Sequence, residues 1–550
     1  MTGRDLPDLQ RVFPELDLFD LVVVDAPTIE ALKEVKESGR KLILVAENGA
    51  LLFNPAKKEE TLLCEAPSPE FVARLQELGV SPLSVGRTIV ATWEPNEKAV
   101  LQVIHELALE LHIIFNKGAV MVLPGNVNKA WGLKRALKPL CLSLHNVVGI
   151  GDAENDQAFL SACGCAVAVA NALPTVKAKA DLVVAGHGAG VIELAHLLTK
   201  SDLREPGLRI PRVQPTLGAK PDGTNVYLSP FETTLITGAS GSGKSTVATA
   251  ILEQIRDLGF QFCVVDPEGD YGEFPDAVVV GDAKQEPGLK EIVRLLRKPE
   301  VSVVVNLLAV NPTERPRFLA NFLPEIAKLR SETGRPHWIL LDEAHHCLPA
   351  KWEPAPITLP QELPAVIAVT VHPEAVARDF LELVSTVIGV GGGSITAIEA
   401  FCTATGRTAP KDAPEPQPGQ VQILTTDGRL GAITPVKAKE KQKRHIRKYA
   451  EGNLGKDRSF YFRGPDGALN LRAHNLATFL HMAEGVDDRT WLHHLKAGEY
   501  SRWFREAIKD DDLAAEARAV EAEASHSVAE SRRRIMEIVE RRYTAPAHND

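Results

Sequence analysis

Residues 234–246 read Thr-Leu-Ile-Thr-Gly-Ala-Ser-Gly-Ser-Gly-Lys-Ser-Thr, an apolar strand pattern followed by a glycine-rich loop that ends in Lys-Ser. The residues after the loop have a helical pattern, so the loop amides and the N-terminus of the helix converge on one anion site. Glycines at positions 238, 241 and 243 let the backbone approach a phosphate more closely than any Cβ would allow. Strand, loop and helix in this order predict a phosphate-binding loop in an α/β domain.

A nucleotide site is predicted around this loop, with contributions from Gly238, Ala239, Ser240, Gly241, Ser242, Gly243, Lys244, Ser245 and Thr246. Lys244 is expected to contact the β- and γ-phosphates of ATP, and the Ser245 hydroxyl to ligate Mg²⁺. Further along the chain, an apolar run ends in Asp342 and Glu343. Asp342 is predicted to hold the Mg²⁺ through water, and Glu343 to orient or deprotonate the attacking water. The pattern therefore predicts binding and hydrolysis of ATP.

Two further stretches carry a family resemblance. Residues 264–271 read Val-Val-Asp-Pro-Glu-Gly-Asp-Tyr, and residues 335–346 read Arg-Pro-His-Trp-Ile-Leu-Leu-Asp-Glu-Ala-His-His. Together with the loop they resemble the HerA/FtsK group of ring-forming ATPases, over roughly residues 210–435. The resemblance implies a homo-oligomer, typically a hexamer, that acts as a motor on DNA.

The same resemblance raises two questions about individual residues. The family usually has a polar Thr-Gln sensor at the end of the fourth strand, where this chain reads Thr370-Val-His372. Phosphate sensing is therefore expected to fall to His372 or to be weakened. The family also uses an arginine finger from a neighbouring subunit, for which the candidates are Arg330, Arg335 and Arg378.

A second phosphate-handling pattern lies in the N-terminal part of the chain. Residues 148–156 read Val-Gly-Ile-Gly-Asp-Ala-Glu-Asn-Asp, so Asp152 and Asp156 follow a strand at a spacing suited to Mg²⁺. Residues 115–124, Asn128-Lys129-Ala and residues 168–174 add to the pattern. Over about residues 1–200 the chain resembles the Cof-type branch of the haloacid dehalogenase superfamily. The resemblance implies a phosphate ester as substrate, with Lys129 as the phosphate-binding lysine.

Catalysis in this family begins at an Asp-x-Asp-Gly-Thr motif, which does not occur in the sequence. Its nearest counterpart is Val24-Asp25-Ala-Pro27-Thr28, which offers Asp25 as a nucleophile but has proline where the second aspartate belongs. The segment Thr2-Gly-Arg-Asp resembles the sequence that, in this family, normally follows a strand like the one predicted at 41–45. Here it precedes that strand, so the two segments look transposed. A degenerate or regulatory phosphate-binding domain is the leading interpretation, and a working phosphatase is the alternative.

The fold class predicted for the chain is α/β, because 550 residues exceed what one hydrophobic core supports and strand patterns alternate with helical ones. Two Rossmann-like parallel-sheet domains are predicted at 1–204 and 205–436, followed by a basic linker and a mainly helical region at 437–550. In the first domain, strands are predicted at 21–24, 41–45, 147–150 and 182–184. In the second, they are predicted at 234–237, 262–265, 301–305, 338–341 and 366–369.

Composition restricts the class of protein further. There are 62 basic and 72 acidic residues, and a net charge of −10 argues against a protein that coats nucleic acid by overall charge. The seven cysteines are scattered without zinc-site spacing, which indicates reduced thiols in a cytoplasmic protein. No apolar stretch reaches the ~18 residues of a membrane span. In the C-terminal region, aromatics mixed with arginine and histidine could stack on bases, but a helical core is favoured.

Three functional hypotheses follow. The leading one is an ATPase of HerA-like type, with ATP and Mg²⁺ as cofactors, fused to a phosphatase-related domain. A second is a sugar-phosphate or phosphoglycolate-type phosphatase that the nucleotide-binding domain regulates. A third is a nucleotide-gated scaffold without DNA translocation.

Overall fold

The computed structural model describes residues 45–54, 59–116, 118–201, 203, 210–239, 241–351, 363–410, 416–439, 454, 458–465, 467, 469–508, 510–523 and 527–543. The chain divides into two compact units, one ending at Lys439 and one beginning at residue 440. The predictions made for the strand at 21–24, for most of the strand at 41–45, for Asp25 and for Ser240 lie outside the described residues, as does most of the basic linker.

The first part of the N-terminal domain is antiparallel. Its strands are β1 (Val45–Ala46), β2 (Leu51–Asn54), β3 (Glu59–Leu62), β4 (Ser84–Val85), β5 (Val90–Trp93), β6 (Leu111–Asn116) and β7 (Ala119–Pro124). They form two sheets, of order β1-β2-β3 and β4-β5-β7-β6, and α1 (Pro69–Glu77) and α2 (Glu97–Glu106) pack on the second. The expectation of a mainly parallel sheet is wrong for this segment. Only two residues join β6 to β7, which allows a hairpin but no parallel crossover.

A small parallel sheet completes this domain. Its strands β8 (Val148–Gly151), β9 (Cys165–Val169) and β10 (Leu182–Val184) lie side by side, so the strands predicted at 147–150 and 182–184 are confirmed. The helices around it are α3 (Lys129–Leu137), α4 (Gln157–Ala162), α5 (Pro174–Lys177) and α6 (His187–Ser201). Every residue of β9 is buried, as expected for a central parallel strand.

The central domain is one sheet of eleven strands. These are β11 (Thr216–Ala219), β12 (Asn225–Tyr227), β13 (Thr233–Thr237), β14 (Phe262–Asp266), β15 (Ala277–Val280), β16 (Ser302–Asn306), β17 (Trp338–Leu341), β18 (Val366–Thr370), β19 (Val384–Val390), β20 (Val421–Thr425) and β21 (Leu430–Pro435). Seven of them are parallel, in the order β19-β13-β18-β17-β14-β16-β15, and four antiparallel strands extend the β19 side. All five strands predicted for this domain are confirmed.

Helices cover both faces of this sheet. They are α7 (Lys244–Asp257), α8 (Leu289–Leu296), α9 (Arg315–Thr333), α10 (Ala344–Cys347), α11 (Arg378–Leu383) and α12 (Ser394–Thr405). All residues of β13, β14, β16, β17 and β18 are buried, which is why their sequences are continuous apolar runs without alternation.

The N-terminal and central domains pack together within the first unit. The His145 ring stacks on Phe260 with ring centroids 3.9 Å apart. Arg335 is fully buried, and its guanidinium donates to the Cys141 carbonyl of the N-terminal domain and to Gln261 Oε1 of the central domain. These residues lie just before β8, β14 and β17, so the contact is at the amino ends of the strands in both domains.

The second unit is mainly helical. It contains β22 (Phe460–Phe462), β23 (Leu471–Ala473), α13 (Leu476–Gly485), α14 (Asp488–Lys496), α15 (Glu499–Trp503), α16 (Asp511–Ala522) and α17 (Val528–Tyr543). Its aromatic residues, among them Phe460, Phe479, Trp491 and Tyr500, form a buried core. This agrees with the interpretation favoured from the sequence.

Across the described part of the chain, none of the helices has the length and apolarity needed to cross a membrane.

Candidate nucleotide and phosphate-ester sites

The phosphate loop joins β13 to α7. Gly238, Gly241 and Gly243 have φ values of 150°, 77° and 99°, a region that side chains other than glycine rarely adopt. A Cβ at Gly238 would lie 2.3 Å from the Val390 carbonyl oxygen, so the neighbouring strand also requires glycine there. Lys244 is buried and its Nζ donates to the Ala239 carbonyl at 2.8 Å, which holds the ammonium over the loop.

The acidic half of the site follows β17. Asp342 is buried, and its Oδ1 has no hydrogen-bond partner. Burial raises the pKa of Asp342 well above its usual value, and the neighbouring carboxylates of Glu343 and Asp266 add to the effect. Glu343 has a φ of 39°, a left-handed backbone that is uncommon for glutamate and clusters at functional sites.

An orphaned, buried carboxylate oxygen fits the Mg²⁺ that the predicted nucleotide chemistry requires. Mg²⁺ binds through one or two protein oxygens, together with waters and substrate phosphates. Asp342 and the Ser245 hydroxyl are the residues that would hold it. Within the described ranges, no group of three or more His, Cys, Asp or Glu side chains forms a separate metal site.

At the end of β18, where His372 is the predicted sensor, two further polar side chains lie near Glu343. Thr370 Oγ1 lies 3.0 Å from His345 Nδ1 and accepts the backbone N–H of His372. His345 Nδ1 in turn lies 3.5 Å from Glu343 Oε2. The His372 ring is exposed and lies beside Glu374. Thr370 and His345 are therefore the polar groups nearest Glu343 at this strand end.

His345 was not among the predicted site residues, although its place two positions after Glu343 was a usable signal. Burial lowers its pKa to about 4, with the neighbouring ring of His346 contributing. The ring is therefore neutral at pH 7. Its contacts with Thr370 and Glu343 are both made by the same nitrogen, Nδ1, and the 3.0 Å contact with the Thr370 hydroxyl is the hydrogen bond of the two.

The stretch at residues 264–271 forms a turn around Asp266. The Asp266 carboxylate accepts the backbone N–H groups of Glu268, Gly269 and Tyr271. It is fully buried at the end of β14, two strand positions from β18. The hydrogen bonds described for Asp266 therefore hold the turn at residues 266–271 in shape.

The three arginine-finger candidates are in different environments. Arg330 and Arg335 are bonded to backbone carbonyls at the amino ends of the strands, at the edge opposite the phosphate loop. Arg378 is exposed on α11, where it pairs with Glu382. Arg330 and Arg335 therefore have structural roles, and Arg378 is the exposed member of the three. The identity of an arginine finger stays a prediction.

The second site lies at the carboxyl end of β8. Lys129, the first residue of α3, is buried, and its Nζ lies 2.5 Å from Asp156 Oδ1. Asp156 Oδ2 accepts the backbone N–H groups of Asp152 and Ala153. Burial acts to raise the pKa of Asp156, but the Lys129 ammonium and these hydrogen bonds bring it below its usual value.

Asp152 and Asp156 thus have different surroundings. Both oxygens of Asp156 already accept hydrogen bonds from the protein, whereas Asp152 is half-buried at the strand end. Asp152 fits a Mg²⁺ ligand better, and metal binding by either residue stays a prediction. Asp25 and Pro27 lie outside the described residues.

Two asparagines next to this site were missed in the sequence analysis. Asn155 Nδ2 donates to Asn48 Oδ1 at 3.2 Å, and Asn48 is fully buried. Gly49 follows with a φ of 106°, and a Cβ there would lie 2.1 Å from the Asn128 carbonyl oxygen. The signal was the Asn-Gly pair after a strand, but only the folded chain shows that it packs beside Lys129.

Comparison with known proteins agrees with this geometry. A family model described as haloacid dehalogenase-like hydrolase matches residues 84–193. Phosphoglycolate phosphatase 2 of Saccharolobus solfataricus is 33% identical over 157 residues, which cover 27% of this chain and 64% of that protein. The phosphoglycolate phosphatase of Methanothermobacter thermautotrophicus is 31% identical over 162 residues, covering 27% and 69%. The chain belongs to the haloacid dehalogenase-like hydrolases. The haloacid dehalogenase-like (HAD-like) domain spans about two thirds of the length of these relatives.

The central domain matches a second family model, described as Helicase HerA, central domain, over residues 222–345. The chain therefore combines a HAD-like domain with a HerA-type domain, as the sequence motifs predicted. A genome packaging NTPase of Sulfolobus turreted icosahedral virus 2, solved in complex with ATP-gammaS, is 13% identical with a TM-score of 0.28. That alignment covers 38% of this chain and 100% of the viral chain.

Proposed function

We propose that the chain is a Mg²⁺-dependent ATPase that hydrolyses ATP in its HerA-type domain. The observation that carries this proposal is the buried Asp342 with its orphaned Oδ1, at the same edge of the parallel sheet as Lys244. Ligands of open α/β sheets bind outside the carboxyl ends of the strands. The phosphate loop and the acidic pair follow β13 and β17, which are separated only by β18.

The residues divide the work as follows. The loop amides and Lys244 bind the phosphates, and Glu343 orients the attacking water and accepts its proton. His345 bonds the Thr370 hydroxyl and lies beside Glu343, so it contributes to the polar surroundings of that carboxylate. Bound Mg²⁺ would neutralise charge on the phosphates between Ser245 and Asp342.

The test is the ATPase rate of the purified chain with Mg²⁺ and with a chelator, for the wild type and Lys244→Ala. Mg²⁺-dependent hydrolysis that is abolished in a folded Lys244→Ala variant is the expected result. Undiminished turnover by that variant would contradict the proposed site. Circular dichroism of both proteins establishes that the fold is unchanged.

Duplex DNA is the first effector to add, because the central domain matches a helicase family. A rate that rises with DNA supports a HerA-like motor. A rate that DNA leaves unchanged favours the nucleotide-gated scaffold. Size-exclusion chromatography with ATP and Mg²⁺ measures whether the chain forms the homo-oligomer that such a motor needs.

For the HAD-like domain we propose phosphate-ester binding with slow or undetectable turnover. The buried Lys129–Asp156 pair supports a retained phosphate site. Pro27 cannot act as acid or base, and the loss of that catalysis costs about 10²- to 10⁴-fold in rate. Hydrolysis of a panel of phosphate esters, including 2-phosphoglycolate and sugar phosphates, tests this. Robust Mg²⁺-dependent turnover that Asp25→Asn abolishes would show that the domain is a working phosphatase.

A further inference from the structure

The contact between the HAD-like and HerA-type domains contains two histidine rings. His145 lies just before β8 in the first domain, and His337 lies just before β17 in the second. Their ring centroids are 5.5 Å apart with the planes nearly perpendicular. Phe260 contacts both rings, with centroid distances of 3.9 and 5.1 Å. Neither histidine belongs to either candidate site.

Hydrogen bonds determine the tautomer of His337. Its Nδ1 accepts the backbone N–H of Gln261 at 2.9 Å, so this nitrogen carries no proton. Its Nε2 lies 3.2 Å from Asn146 Oδ1, so this nitrogen carries the proton and donates it. The Asn146 amide has the matching orientation, because its Nδ2 donates to the Gly334 carbonyl at 3.2 Å. The neutral ring therefore satisfies both nitrogens, one within the HerA-type domain and one across the contact.

A protonated His337 cannot keep this arrangement. Both nitrogens of an imidazolium are donors, so the Nδ1–H would face the Gln261 N–H instead of accepting from it. The ring must leave its place to avoid this opposition of two donors. It then also loses its hydrogen bond to Asn146 and its packing on His145 and Phe260. Protonation inside the HerA-type domain therefore removes contacts with the HAD-like domain.

The charged groups around the His337 ring act in the same direction. Burial lowers the pKa of His337 well below its usual value, and the neighbouring His145, Arg335 and Arg330 lower it further. Arg335 belongs to the same loop as His337, and Arg330 belongs to α9. Glu300, which precedes β16, interacts with Arg335. The joined domains therefore hold His337 in its neutral form.

His145 has a more balanced environment. Burial lowers its pKa, and the positive charge of Arg212 acts in the same direction. Hydrogen bonds between its ring and the backbone of Leu258 and Gly259 favour the protonated form instead. His337, whose Nδ1 is already an acceptor, is the histidine that excludes a proton by its geometry.

We propose that the contact between the HAD-like and HerA-type domains is pH-sensitive, and that protonation of His337 opens it while each domain keeps its own fold. The separated state takes up a proton that the joined state excludes. The contact is therefore strongest above the ordinary histidine pKa of about 6.5 and weakens as the pH falls below that value. For one proton, the equilibrium constant for joining the domains decreases by up to about tenfold per pH unit.

Hydrogen–deuterium exchange of the full chain at about pH 7.5 and about pH 5.5, corrected for the intrinsic exchange rates, tests the proposal. Peptides over residues 141–147 and 258–262 report on the contact, and the Gln261 amide is bonded to the ring itself. Their protection is expected to fall about tenfold between the two pH values, as one proton with an ordinary pKa of about 6.5 predicts. Peptides from β13 and β19, in the central sheet, should keep their protection.

His337→Asn is the matching variant, because its amide oxygen can accept the Gln261 N–H in place of Nδ1 and does not titrate. Protection of the contact peptides in this variant should be equal at the two pH values. His105→Asn, at an exposed position of α2, is the control and should keep the tenfold response of the wild type.

Two results with the wild type alone would overturn the inference, whether or not the variants fold. One is unchanged protection of the contact peptides between the two pH values. The other is an equal loss of protection in β13 and β19, which would show general unfolding in acid. A folded His337→Asn variant that keeps the tenfold response would assign the titration to another group and would also overturn it.

Discussion

The HerA-type and HAD-like sites hold their lysines and carboxylates in opposite ways. In the HAD-like site Lys129 makes a buried 2.5 Å ion pair with Asp156, and the pKa of that carboxyl is lowered. In the HerA-type site Lys244 donates to a backbone carbonyl, and the pKa of Asp342 is raised by burial and by neighbouring acids. In the first site the charges of Lys129 and Asp156 neutralise each other, and Asp152 is a further carboxylate beside them. The second site concentrates negative charge that a divalent cation would compensate.

The difference indicates what each site gains from a ligand. If the HerA-type site binds nucleotide with Mg²⁺ as proposed, the cation supplies the charge that compensates Asp342, and binding and deprotonation are coupled there. A phosphate ester at the HAD-like site must compete with Asp156 for the Lys129 ammonium, or share it.

The largest effect is expected for Glu343→Gln. The variant keeps the shape of the side chain and removes the base, so hydrolysis of ATP should fall by about 10²- to 10⁴-fold while ATP binding is retained. Turnover assays and calorimetry measure the two properties separately. Glu374→Gln, at an exposed acid near His372, is the control and should behave like the wild type. Loss of nucleotide binding in Glu343→Gln would argue against the role of Glu343.

Breaking the buried ion pair should mainly affect stability. Lys129→Met leaves the Asp156 carboxylate buried without its cation, which costs about 3–5 kcal/mol of unfolding free energy. Urea unfolding followed by circular dichroism measures the loss. Lys134→Met, at an exposed position of the same helix, should change the unfolding curve little. The double variant Lys129→Met, Asp156→Asn removes the charge while the amide oxygen still accepts the backbone N–H groups of Asp152 and Ala153, so it should recover much of the stability. Failure to recover would show that the charge itself is not the cause.

Asp342→Asn should have opposite effects on stability and binding. Its raised pKa means that the ionised carboxylate destabilises the nucleotide-free fold, so the amide should raise the melting temperature. A gain of about 1 kcal/mol corresponds to roughly 2–4 °C for a domain of this size. The gain should increase with pH above the ordinary aspartate value of about 3.9, where the unfolded chain ionises. Binding of ATP with Mg²⁺ should weaken; unchanged Mg²⁺ dependence would contradict the assigned role.

The smallest expected effect is a pH dependence of the unfolding free energy that arises at the HAD-like site. The lowered pKa of Asp156 means that its ion pair stabilises the fold above about pH 3.9 and that this stabilisation is lost as the pH falls through the folded-state pKa. Unfolding free energies measured between neutral pH and about pH 3 should show this loss for the wild type. The Asp156→Asn variant should lack this component, and an identical pH profile would contradict the assignment.

The strands and the phosphate loop of the HerA-type domain could be predicted because parallel strands buried on both faces are continuous apolar runs. The antiparallel sheet of β4 to β7 could not be predicted, because an alternation of strands and helices along the sequence does not reveal which strands pair. The position of His345 beside Thr370 depends on the strand order and register across the sheet. Lys129 and Asp156 were each identified from the sequence, but not the ion pair that joins them.

The contact between the two domains contains neither candidate site. His145 and Phe260 meet at the amino ends of the strands, whereas both sites lie at the carboxyl ends. Each site is therefore one strand length, roughly 13–17 Å, from this contact. A molecule that leaves one site does not enter the other through the residues that join the two domains.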